Sequence, residues 1–126
     1  MPGLVYDTGA LVAAERRDTG IALLHQHAVR TKVRPIVPAV VLAQAWRGGP
    51  QPGLSMLIKG CLILPIEEHL SRAAGTVCGQ ARASDVVDAL VVVTAVTFGA
   101  AIVTSDPDDL YHLADAIAAK LTIHAI

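Results

Sequence analysis

The residues best placed to do chemistry in this chain are aspartates, and they recur at one kind of position. Asp7 closes the first apolar run, Leu4-Val5-Tyr6, and Asp106 follows another, Ala101-Ile102-Val103-Thr104, with Asp108 and Asp109 close behind. Asp85 and Asp88 open a nearly all-apolar stretch, and three residues apart they share a face in a first helical turn. Two unit charges 4 Å apart repel by about 4 kcal/mol at an effective dielectric near 20. Carboxylates that converge on one cleft must therefore rise in pKa or hold a cation. Oxygen-only ligation suits Mg²⁺ or Mn²⁺. Such an ion activates a bound water and neutralises phosphate oxygens, the two needs of phosphodiester hydrolysis. Each acid also has a plain structural use: Asp7, Asp85 and Asp106 can each cap the helix that follows, and Asp88 suits a first turn.

Those acids meet only if the elements between them are arranged to bring them together. Short apolar runs at Leu4–Tyr6, 35–38, 61–64, 101–104 and 121–126 read as strands. Between them lie helical stretches at 8–14, about 21–30, 39–46 and 54–59, one ending near Gly79, one over 85–98, and a short one opening at 106–109. Arg47-Gly48-Gly49-Pro50 begins the loosest loop, and residues 80–84 read as another. Continuous apolar strands alternating with helices predict a parallel sheet covered on both faces, a three-layer α/β/α domain. In such sheets ligands sit beyond the carboxyl ends of the strands. Right-handed connections would put all the acids on one rim.

The bulk properties narrow the field. The length of 126 residues suits a single domain, 1–126. Hydrophobic residues make up 53% but aromatic ones only 3%, so the core is built from Ala, Val, Leu and Ile and no aromatic platform stacks bases. A net charge of −1 gathers no nucleic acid by a global field, which leaves local cations and metal ions to do so. Cys61 and Cys78 form no disulfide framework or Cys-x-x-Cys motif, and the N-terminus lacks a signal-peptide pattern, so a cytoplasmic protein with free thiols is expected. The apolar run Val86–Val103 approaches membrane-spanning length, but Asp88 and Phe98-Gly99 divide it into a buried helix and a strand. The five histidines show no metal-ligand spacing, since His25 and His27 point to different sides of a helix. Arg16-Arg17 and Arg30, Lys32 and Arg34 read as solvated faces.

Four segments in order, Tyr6-Asp7-Thr8-Gly9-Ala10-Leu11-Val12, Val37-Pro38-Ala39-Val40-Val41-Leu42-Ala43-Gln44-Ala45-Trp46-Arg47, Asp85-Val86-Val87-Asp88-Ala89-Leu90-Val91-Val92 and Ile102-Val103-Thr104-Ser105-Asp106, resemble the PIN-domain nucleases. The likeness covers essentially the whole chain and is nearest to the VapC toxins of VapBC toxin–antitoxin modules. It implies a five-stranded parallel sheet and a Mg²⁺- or Mn²⁺-dependent endoribonuclease acting on single-stranded or looped RNA, often tRNA or ribosomal RNA. Its metal-binding acids fall on Asp7, Asp88 and Asp106, and Thr104 falls where a hydroxyl supports the last acid. It also implies a VapB-like antitoxin whose Arg reaches the acids; a homodimer suits a small, apolar-rich domain.

The chain departs from the family at one position. The glutamate of the second motif falls on Gln44, which brings no charge and cannot act as a base. Asp85, one turn before Asp88, is the candidate for a compensating ligand, with helix capping as its alternative role. Arg47, one turn beyond Gln44 on the same face, and Arg82, ahead of the acidic helix start, are the cations expected to reach a substrate phosphate. A degenerate module that binds RNA or antitoxin without cutting is the competing expectation. A receiver domain would need Asp after the third strand, where Pro65-Ile66 stands, and a haloacid-dehalogenase phosphatase would need Asp where Gly9 stands.

Overall fold

A computed structural model describes residues 3–126. Five strands form one parallel sheet in the order β3-β2-β1-β4-β5: β1 (Leu4–Tyr6), β2 (Ile36–Pro38), β3 (Leu62–Leu64), β4 (Ala101–Thr104) and β5 (Ile123–Ala125). The helices are α1 (Thr8–Glu15), α2 (Thr19–Arg30), α3 (Ala39–Ala45), α4 (Pro52–Ile58), α5 (Glu68–Ala81), α6 (Val86–Phe98) and α7 (Pro107–Ala116). The expected three-layer α/β/α architecture is present.

The strand order fixes where a site can lie. From β1 the chain winds outward through β2 and β3, then returns across the sheet to β4 on the other side of β1. Right-handed connections in opposite directions put their helices on opposite faces. The reversal leaves a crevice between the carboxyl ends of β1 and β4, the switch point of an open α/β sheet. Register does the rest: Tyr6 pairs with Val103, and Asp7 N–H bonds the Val103 carbonyl at 3.2 Å, so Asp7 stands level with Thr104.

Helix α6 is the centre of the core. Ala89 to Ala95 are all buried, too many for an amphipathic surface helix, because α6 covers β1, β2 and β4 and is itself covered by α5 and α7. It ends at Gly99, whose φ of 61° supplies the left-handed cap, and β4 starts two residues later. The apolar run Val86–Val103 is thus a buried helix and a buried strand, and among the described residues no helix is long and apolar enough to cross a membrane.

Several boundaries differ from the sequence reading. The helix expected to end near Gly79 continues to Ala81, because Ala81 completes the buried row of Leu70, Ala74, Val77 and Cys78. The loop expected over 80–84 is correspondingly 82–85. Helix α3 stops at Ala45, one residue short of expectation, and the last strand is confined to Ile123–Ala125.

Candidate functional site

Asp7 is only 6% exposed and uses both carboxylate oxygens. Oδ1 accepts the Ala10 N–H at 2.9 Å, capping α1, and Oδ2 accepts the Thr104 hydroxyl. Thr104, fully buried, also accepts the Asp106 N–H at 2.9 Å. One hydroxyl therefore ties the acid after β1 to the acid after β4. Burial raises the Asp7 pKa, opposed by these hydrogen bonds and reinforced by the charge of Asp106.

Asp88 reaches the same crevice from the first turn of α6. Its pKa is pushed up to about 7, first by partial burial, then by the charges of Asp85 and Asp7, with Asp109 adding to them. Asp85 caps α6, its Oδ1 accepting the Asp88 N–H at 3.0 Å. Asp106 also begins a helix, but its side chain makes no capping bond, so its exposed carboxylate is not committed to α7. Capping thus accounts in part for Asp7 and Asp85 and not for Asp106.

Among the described residues none of these acids makes an ion pair. Among the described residues the ion pairs are His69–Glu67 at 3.4 Å and Arg72–Glu68 at 2.7 Å, both on exposed side chains at the start of α5. The donor set is all oxygen and carries excess negative charge, which fits a hard dication. As placed, the acids do not close around a point: among the described residues no three His, Cys, Asp or Glu side chains form a metal-holding group.

The remaining predicted residues, Gln44, Arg47 and Arg82, take three different places. Gln44 Oε1 accepts the Thr8 hydroxyl, which puts the amide beside the residue that follows Asp7. Arg47 is not on the helical face of Gln44, as the sequence reading had it. Helix α3 ends at Ala45 and Trp46 is extended, because Gln51 takes over the chain end: its Oε1 accepts Arg47 N–H at 2.8 Å and its Nε2 donates to the Ala45 carbonyl at 3.1 Å. Arg47 nevertheless lines the same groove as Gln44. Arg82 is the left-handed cap of α5, with φ 53°, exposed in the turn before Asp85.

Sequence reasoning gave Asp109 no role at the site, yet its charge acts on Asp88. The available signal was its place three residues after Asp106, in the first turn of α7. His25 joins its Nδ1 to the Tyr6 hydroxyl at 2.8 Å. Cys61 and Cys78 are free and buried.

Fold and site together define a parallel α/β domain with an acidic crevice at its switch point. Compared with known proteins, the sequence matches no family model and no curated protein.

Proposed function

We propose that this chain is a Mg²⁺- or Mn²⁺-dependent endoribonuclease of the PIN type, the toxin of a VapBC-like toxin–antitoxin pair. The observation that carries the reading is the unbalanced acid set at the crevice. Asp7 is buried and held by Thr104, and Asp88 is pushed to about 7 in part by the charge of Asp7. A group so raised is relieved by a proton or by a cation, and among the described residues these acids make no ion pair.

Asp7, Asp88 and Asp106 would hold the ion, with Asp85 at the edge of the set. When bound, Mg²⁺ or Mn²⁺ supplies charge neutralisation at the scissile phosphate and a lowered pKa for a water molecule. The protein's own part is positional. Thr104 and the Ala10 N–H fix the orientation of Asp7, while Asp88 stands in the first turn of α6. Gln44, anchored by Thr8, offers an amide at the edge of the crevice.

Partners follow from charge and exposed apolar surface. An acidic crevice suits an antitoxin Arg, whose guanidinium pairs two carboxylate oxygens. Leu23, Val29 and Met56 are more than half exposed and border a depression between α2 and α4, which supports a homodimer contact. Two free buried thiols suit a cytoplasmic setting.

The uncharged Gln44 favours a second reading, a module that binds RNA or antitoxin without cutting it. Incubating the protein with tRNA and ribosomal RNA, with and without Mn²⁺, separates the two. The nuclease reading expects metal-dependent fragments that disappear in Asp7→Asn. Retained RNA binding with no fragments supports the module, and fragments undiminished in Asp7→Asn remove the acids from the chemistry.

A further inference from the structure

Nuclease chemistry at an acidic crevice raises a problem that the acids cannot solve: the substrate is a polyanion. The chain's overall charge does not solve it either. Cations must therefore be local, and the structure gathers two of them beside α1. A groove of about 240 Å³ runs between α1, α3 and the loop leading to α4, lined in part by Arg16, Arg47, Gln44 and Gln51. Its near end is Gln44, joined to Thr8 and so to the crevice. Arg16, the C-cap of α1, lies roughly 13 Å along the helix from Asp7, at 1.5 Å per residue. It also lines a second depression on the other flank of α1, with Gly9, with Thr8 and Ser105, the residues next in sequence to Asp7 and Asp106, and with Asp18, whose Oδ1 is committed to capping α2.

Both guanidinium groups are available. Neither makes an ion pair among the described residues. Arg47 spends Nη1 on the Trp46 carbonyl at 2.8 Å, which orients the fork and leaves other N–H donors open. The acid that lines this groove, Glu15, has Oε2 committed to the Leu54 N–H at 2.9 Å. Gln51 holds the Arg47 backbone in place through its own amide, so the cation stands on a fixed loop.

We propose that Arg16 and Arg47 form a phosphate track for a single-stranded nucleic acid, positioning the backbone that flanks the bond at the acids. The proposal rests on the nuclease reading of the crevice. Arg16 and Arg47 are positioning residues here, with no part in the chemical step. Guanidinium forks suit phosphate oxygens in two-point contact. Contacts of this kind carry no sequence information and are strongly salt-dependent.

The test is equilibrium binding of a fluorescent single-stranded RNA, and of DNA of the same sequence, followed by anisotropy in EDTA across a salt series. EDTA separates binding from metal-dependent cutting. Each phosphate contact to a single strand contributes about 0.7 to the slope of log K against log salt, so Arg16→Ala/Arg47→Ala should lower that slope by about 1.4. Arg16→Lys/Arg47→Lys should restore most of it, and Arg30→Ala/Lys32→Ala, at and just beyond the end of α2, should leave it unchanged. Equal loss for RNA and DNA supports a pure phosphate track, and loss for RNA alone supports a track that also reads the 2′-hydroxyl. A slope unchanged in the Ala pair, or no binding by the parent protein at low salt, overturns the proposal. Cleavage that survives in Asp7→Asn would overturn the nuclease reading while leaving the binding result intact.

Discussion

The Thr104 hydroxyl donates to Asp7 Oδ2 and accepts the Asp106 N–H at 2.9 Å, so one side chain sets the spacing of the two strand-end acids. Replacing it with Val leaves Oδ2 of the buried Asp7 carboxylate without its donor and the Asp106 N–H without an acceptor. An unmet buried hydrogen-bonding group costs about 1–3 kcal/mol. Thr104→Val should lose stability of that order in urea denaturation and release the β4–α7 turn, whereas Thr104→Ser should keep both. Equal stability of the Val variant and the parent would show that the hydroxyl is not needed.

Asp88 makes folding pH-dependent. Its folded pKa of about 7 lies above the ordinary 3.8, so the folded chain holds more protons than the unfolded chain between those values. Stability therefore falls as pH rises from about 4 to about 7, and this contribution is flat above. Asp7 is raised too and acts in the same direction. In EDTA the melting temperature of Asp88→Asn should decline less steeply over this range than that of the parent. Parallel profiles would contradict the placement of Asp88.

Gln44→Glu should keep the bond from the Thr8 hydroxyl, because a carboxylate oxygen replaces the amide oxygen as acceptor. It adds a negative charge beside the crevice and should tighten Mn²⁺ binding in calorimetry. Unchanged or weaker binding would mean that position 44 lies outside the ion's reach.

Gly53 holds α4 against the end of α1. A Cβ there would stand 2.4 Å from the Ala14 carbonyl oxygen, a backbone atom that cannot rotate away. Gly53→Ala should cost about 1–3 kcal/mol, as overpacking does. It should also disturb the Leu54–Glu15 bond, 2.9 Å in the parent. An unaltered denaturation midpoint would show that the α1–α4 contact gives way freely.

Most of the fold was legible because the strands are short continuous apolar runs and several of the breaks, such as 47–50 and Gly99, carry Gly or Pro. Asp7 and Asp106 could be placed at strand ends because each follows its run directly. What could not be read was governed by side chains distant in sequence. Gln51 ends α3 before Trp46 and moves Arg47 off the helix, a bond with no periodic signature. Ala81 extends α5 because of packing that composition alone does not reveal. The coupling of Asp109 to Asp88 depends on how α7 lies against α6, which is tertiary information.

The central claim is that Asp7, Asp88 and Asp106 share a divalent ion. Calorimetric titration of Mn²⁺ into the parent protein, Asp7→Asn, Asp88→Asn and Asp106→Asn tests it most directly. The account predicts saturable binding to the parent and a loss of affinity in each variant, with all four proteins folded by circular dichroism. Binding of equal strength in all four, or no binding to any, would contradict it.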